Sequence, residues 1–166
     1  MDKRHNKTFI GLVGAIAASL TISLVSKYEG TRLTGYLDPV GIPTKCTGDT
    51  TNVTVGKTYS EAECKQSLET ELKKHAQGVL RCTPLIKDKP YILAASISFA
   101  YNIGVGAYCN STTARRFNNA DYAGGCKAMN ESDNGKRQWV TAKGIVLPGL
   151  VKRRQEERST CEKGLK

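Results

Sequence analysis

An eighteen-residue stretch without a single charge, Phe9–Ser26, runs directly into Lys27, Tyr28 and an acid, Glu29. Twelve of the eighteen are apolar, and the others are Gly11, Gly14, Ser19, Thr21, Ser23 and Ser26. With Thr8 the run would make a helix of roughly 28 Å, just enough for the hydrocarbon core of a bilayer. Lys3, Arg4 and Lys7 precede it. Positive charge on that side holds the N-terminus in the cytoplasm and exports everything after the run.

Three readings of the run stay open on the residues alone. A cleaved signal peptide would use Ala15-Ile16-Ala17 as its small-residue site. A permanent anchor would keep the run in lipid. A weak anchor would insert and later leave. For the third, Ser19, Ser23 and Ser26 fall at i, i+4 and i+7 on one helical face, and Gly11, Gly14, Ala15 and Ala18 keep the remainder small. Such a segment loses little on leaving lipid if it buries its apolar face elsewhere.

The 166 residues suffice for one domain, or for two small lobes sharing a helix. No linker or internal repeat divides them. The net charge of +10 favours anionic polymers such as a bacterial wall, anionic lipid or nucleic acid. The basic residues are scattered except at Lys152-Arg153-Arg154, and no nucleic-acid motif is present, so no nucleic-acid partner is expected. Six cysteines, Cys46, Cys64, Cys82, Cys109, Cys126 and Cys161, form no CxxC pair, and the only histidines are His5 and His75. No metal or cofactor is expected from this set. An even count behind an exporting segment points to disulfides in an oxidising compartment; buried cytosolic thiols are the alternative.

Glu29 is followed by Asp38 and Thr44. A glycosidase needs one carboxyl group to protonate the leaving oxygen and a second to activate water or attack the sugar. A partly desolvated Glu at a helix end suits the first task. An Asp on a wetter turn suits the second, and a Thr hydroxyl can help hold the water. The spacing alone is a weak pattern.

Its context is specific. "YEGTRLTGYLDPVGIPT" (28–44) resembles the active-site stretch of the phage T4-type lysozymes, the muramidases of phage endolysins. "SISFAYNIGVGAYCNST" (96–112) resembles that family's central helix and following turn, and "ADYAGG" and "GIVLPGLVKRRQEER" its C-terminal helices. The blocks fall in the family's order over about Tyr28–Glu162. The resemblance implies an α+β, lysozyme-like fold, mostly helical, with a small β-hairpin or sheet in the N-terminal lobe and two lobes around a saccharide cleft. It implies hydrolysis of the β-1,4 bond between N-acetylmuramic acid and N-acetylglucosamine in peptidoglycan, by a monomer. By position, Glu29 is the general acid, Asp38 the carboxylate that handles the water, and Thr44 its helper. Tyr101, Asn110 and Ser111 fall where family members contact the glycan. The same placement pairs Cys46 with Cys64, Cys82 with Cys109, and Cys126 with Cys161. The chain departs from the family after Thr44, where Asp49 stands in place of a usual His.

Elsewhere Ser60-x-x-Glu63 is a capping box opening a helix that carries Leu68, Leu72 and Val79 and should join the lobes. Pro90 opens an apolar core helix through Tyr101. Pro148-Gly149 precedes a last helix whose Arg153, Arg154, Glu156, Glu157 and Arg158 read as a solvated face.

The family's fold uses a helix that ends at the catalytic Glu, and only the apolar run is available to form it. The chain therefore resembles the signal-anchor-release endolysins. Residues 1–26 would serve first as a single-pass anchor in the host inner membrane, inserted by host export machinery, and then as the first helix of the catalytic domain, residues 27–166, in the periplasm. Residues 1–45 contain no cysteine, so control would be topological. Two other functions stay open: a secreted lysozyme with a cleaved signal, and a non-enzymatic cationic protein that disrupts wall or membrane.

Overall fold

The computed structural model describes residues 7–166; Lys3 and Arg4 of the N-terminal basic cluster lie outside them. The apolar run does not form one helix. Thr8 caps a short helix α1, Phe9–Val13, its Oγ1 accepting from the Gly11 amide at 3.0 Å. Gly14 then breaks the path with φ +86°, a conformation that L side chains avoid. Helix α2, Ala15–Glu29, follows and stops at Gly30, φ +68°. Among the described residues no helix is long and apolar enough to cross a membrane.

Both pieces pack inward. Phe9, Val13, Ala17, Ala18, Leu24 and Val25 are buried, and Thr21 satisfies its buried hydroxyl on the Ala17 carbonyl at 2.7 Å. The serine face points the other way: Ser19 and Ser23 are exposed and Ser26 is half-buried. Thus the apolar side of the run, which a bilayer would cover, is here covered by protein.

Strands β1, Arg32–Leu37, and β2, Pro43–Cys46, form an antiparallel hairpin with Tyr36 opposite Thr44 and an irregularity between Arg32 and Tyr36. Gly35 permits the next loop to cross closely, since a Cβ there would stand 2.3 Å from the Thr54 carbonyl oxygen. A separate small core of Cys46, Tyr59, Cys64 and Leu33 holds this lobe together.

The capping box at Ser60 forms as expected and opens α3, Glu61–Cys82, which buries Leu68, Leu72 and Val79. Helix α3 contacts β2 at one end and α4 and α5 further along, so it links the two lobes. Helix α4, Pro90–Ile103, is the centre of the large lobe, buried from Ile92 to Ala100 and packed against α2, α3 and α8. Around it lie α5 (Val105–Cys109), α6 (Thr112–Asn118), α7 (Tyr122–Lys127) and α8 (Pro148–Lys163). A second two-stranded hairpin, β3 (Thr141–Ala142) with β4 (Ile145–Val146), precedes α8. No strand is expected here above, although Lys143-Gly144, both at positive φ, between β-branched Thr141 and Ile145-Val146 is a two-residue hairpin signal.

Three disulfides, Cys46–Cys64, Cys82–Cys109 and Cys126–Cys161, tie hairpin to α3, α3 to α5, and α7 to α8. They are the pairs that the family-like placement gives. The reading of α8 as a solvated charged face is corrected. Arg153, Arg154 and Glu157 are 3%, 0% and 0% exposed. Positions 153, 154, 157, 160 and 161 make one helical stripe, and that stripe faces α4.

Candidate active site

Glu29 is the last residue of α2, and the chain turns at Gly30 straight into β1. Its side chain is 25% exposed and rests against Arg153 of α8, with Nη1 2.5 Å from Oε1. Arg153 is itself fixed on other sides. Its Nε donates to Glu157 Oε1 at 3.0 Å, and its Nη2 donates to the Ser98 carbonyl of α4 at 3.1 Å. Glu157 also accepts from the Ser98 hydroxyl at 2.7 Å and pairs with Arg154 at 2.7 Å. Arg154 reaches Asn102 Oδ1 at 2.8 Å. The buried charges are therefore mutually compensated, the condition under which such a cluster survives desolvation. Burial pushes the Glu157 carboxyl up, and Arg154 and Arg153 oppose that rise.

Asp38 sits at the tip of the β1–β2 hairpin. Its Oδ1 accepts from the Val40 amide at 2.9 Å and the Ile42 amide at 2.8 Å, a short Asx-type turn that fixes the carboxylate. Both bonds end on Oδ1. Thr44, on β2 and 4% exposed, donates its hydroxyl to the Ile42 carbonyl at 2.9 Å. Asp38 and Thr44 thus hang on the same turn through Ile42. Glu29 and this turn flank β1 on its two sides in the chain, so the hairpin is the frame between the Glu29 and Asp38 side chains.

Asp49, which departs from the family pattern, fastens the hairpin lobe to α3. It accepts from Ser67 Oγ at 2.6 Å and from the Thr51 amide at 2.8 Å, and Lys45 lies 3.8 Å away. Burial raises its pKa, but the Ser67 and Thr51 bonds outweigh this and hold it below the usual Asp range.

The three positions assigned to glycan contact have structural partners of their own. Tyr101, half-buried on α4, donates its hydroxyl to the Thr47 carbonyl at 2.7 Å and packs on His75 with ring centroids 4.7 Å apart. Burial, then the Glu29 and Glu71 carboxylates, pushes its phenol up. Ser111 is 6% exposed; its Oγ caps α6, accepting from the Ala114 amide and donating to the Tyr108 carbonyl. Asn110 is exposed, with Nδ2 on the Gly106 carbonyl at 2.9 Å. Sequence reasoning misses Arg153, Ser98, Asn102 and Glu157 as site residues. The available signal is the i, i+1, i+4 spacing of opposite charges on a helix that must face the core.

The phage lysozyme family profile matches residues 26–157. The chain is 39% identical over 136 residues to the SAR-endolysin of bacteriophage PS34, covering 80% of this chain and 75% of that protein. It is 36% identical over 155 residues to the SAR-endolysin of Enterobacteria phage P21, covering 89% and 88%. Among solved structures it superposes on the active form of the P1 phage endolysin Lyz with a TM-score of 0.80, at 20% identity and covering 95% of this chain and 91% of that one. The secreted inactive form of the same endolysin gives 0.53, at 18% identity and covering 98% of each. A point mutant of P22 lysozyme gives 0.71 at 25% identity, covering 87% and 96%.

Proposed function

The chain belongs to the phage lysozyme family, and from that premise we propose that it is a signal-anchor-release muramidase in which Glu29, Asp38 and Thr44 cut the β-1,4 bond between N-acetylmuramic acid and N-acetylglucosamine. The family makes it a lysozyme-type glycoside hydrolase acting on peptidoglycan. The observation that carries the rest is the construction of α2. The apolar run becomes the core-packed helix whose last residue is Glu29, anchored on Arg153.

Arg153 occupies Oε1 of Glu29, which leaves Oε2 to carry the acid proton. That proton passes to the glycosidic oxygen as the C1–O bond breaks. On the other side, the Oδ2 of Asp38 accepts a proton from a water whose oxygen bonds to C1. The Thr44 hydroxyl, donating to Ile42, keeps lone pairs to receive a hydrogen of that water. Attack by water inverts the anomeric centre and fits carboxyl groups roughly 6.5–9.5 Å apart; a nucleophilic Asp38 would retain it. Tyr101 and Asn110 border the glycan, and Ser111 shapes that border through its cap.

Membrane tethering follows from the same segment. In lipid every backbone amide must bond within the helix, so the run would pass through Gly14 as one helix and Glu29 would stand at the interface without its support. Released, the run breaks at Gly14 and docks. The two TM-scores against the active and inactive forms of the P1 endolysin support reading the conformation described as the released, active one. A cleaved signal is the second reading; cutting at Ala15-Ile16-Ala17 would remove Phe9 and Val13 from the core, which argues against it. The enzyme would sit in the inner membrane of the host, then act as a periplasmic monomer. The test is turnover of purified peptidoglycan by wild type and Glu29→Gln, with the cleaved bond and the anomer identified by NMR. Products ending in reducing N-acetylmuramic acid, absent with Glu29→Gln, are expected.

A further inference from the structure

Two residues separate the apolar run from Glu29, and both of them reach the same side chain. Lys27 Nζ lies 2.7 Å from Glu156 Oε2, and the Tyr28 hydroxyl donates to that same oxygen. Glu156 stands on α8, three residues beyond Arg153, whose guanidinium also lies over the Tyr28 ring at 5.7 Å. Residues 27, 28 and 29 are thus each held by α8, the first two by Glu156 and the third by Arg153.

The two grips differ in what they fix. Arg153 holds one oxygen of a flexible side chain. Glu156 also bonds side chains, but two successive ones in the last turn of α2, where the helix ends with a Gly30 N–H to Ser26 O bond of 3.2 Å and a glycine at positive φ. Helix ends fray when nothing outside the helix holds them. Of the two partners, Lys27 is 59% exposed and screened by salt. Tyr28 is half-buried, and burial followed by the Glu156 bond pushes its phenol up to about 12, so it stays a donor.

We propose that Glu156 is a positioning residue for Glu29, setting the end of α2 on α8 through Tyr28 and Lys27 once the run has left the membrane. This rests on the reading of Glu29 as general acid. Glu156 touches no reacting atom; it acts through the two residues before Glu29. Because its partners adjoin the anchor, the clamp closes only when α2 docks.

The test uses the full-length released enzyme on purified peptidoglycan, comparing kcat and KM separately. Glu156→Ala should lower kcat about tenfold with KM within about twofold, the signature of misplaced catalytic geometry rather than lost substrate binding. Tyr28→Phe, which removes one oxygen, should lower kcat about threefold. The double variant should be no slower than Glu156→Ala, because both sever one link. The charge-reversed pair Lys27→Glu with Glu156→Lys should recover the part of the loss that the Lys27 pair carries, but not the Tyr28 part, since a lysine offers that hydroxyl no acceptor; a general packing role would allow no recovery. Glu162→Ala, six residues further along α8, should leave kcat unchanged. Glu29→Gln runs beside them. If Glu29→Gln is inactive while Glu156→Ala and Tyr28→Phe keep wild-type kcat, or lose only in KM, the proposal is overturned and the acid assignment stands. If Glu29→Gln itself turns over at the wild-type rate, both fall.

Discussion

Arg153 Nη1 lies 2.5 Å from Glu29 Oε1, joining the last residue of α2 to the buried stripe of α8. The bond connects the segment that would anchor the chain to the lobe that would wait for it. Without α2 in place, the guanidinium would keep Glu157 and Ser98 but lose Glu29.

Arg153→Ala should therefore damage both stability and turnover. It removes one of two guanidinium partners of the fully buried Glu157. Breaking a buried charge pair typically costs about 3–5 kcal/mol. Urea unfolding should show a loss in that range, with activity falling at least as far as in Glu156→Ala. Arg153→Lys keeps the charge but has one nitrogen where three are used, and should recover only part of either loss.

Glu29→Gln should leave the fold intact and the enzyme nearly inactive. An amide fills the same space beside Arg153 but carries no acid proton. A fall of about 10²–10⁴-fold in kcat is expected, with the protein still folded but its thermal midpoint lowered, because Arg153 and Arg154 are left with Glu157 alone. Activity above a tenth of wild type would take the acid role away from Glu29.

Gly14→Ala should favour the tethered state. At φ +86° an alanine is strained, whereas in a continuous membrane helix it is preferred over glycine by about 1 kcal/mol. Both effects act against release. Fractionation of expressing cells should show more protein in the membrane and a later onset of lysis. Gly149→Ala, in a helix with open space around its Cβ, serves as the control and should change neither.

Acid should loosen the hairpin lobe through Asp49. Its folded pKa is below the unfolded value of 3.8, so its contribution is present above that value and is lost as pH falls through the folded pKa. Asp49→Asn should be less stable than wild type at neutral pH, and the gap should narrow as pH falls below 3.8 and close as it passes through the lower folded value. Denaturant midpoints measured across that window will show it.

Much of the fold is legible in the residues. The capping box, the proline starts of α4 and α8, and the three cysteine pairs rest on local chemistry or on family placement, and they form as expected. Two features are not legible. The charges of α8 read as surface because a helix rich in Arg and Glu resembles a solvated one; only packing against Ser98 and Asn102 of α4 reveals that they compensate one another. The break at Gly14 is hidden because a glycine inside an apolar run suits a membrane helix as well as a kink. Which it becomes depends on whether lipid or α4 covers the run. The glycan contacts are the least tractable, since Tyr101 and Ser111 have clear partners within the protein.

If one segment serves first as anchor and then as the catalytic helix, the intact mass of the active periplasmic enzyme will show it. Peptidoglycan-cleaving activity in the soluble periplasmic fraction should travel with a species that retains Phe9–Glu29. A fully active species that begins after Ala17 would contradict it, because that protein would cleave the wall without the residues that seat α1 and the first turn of α2 in the core.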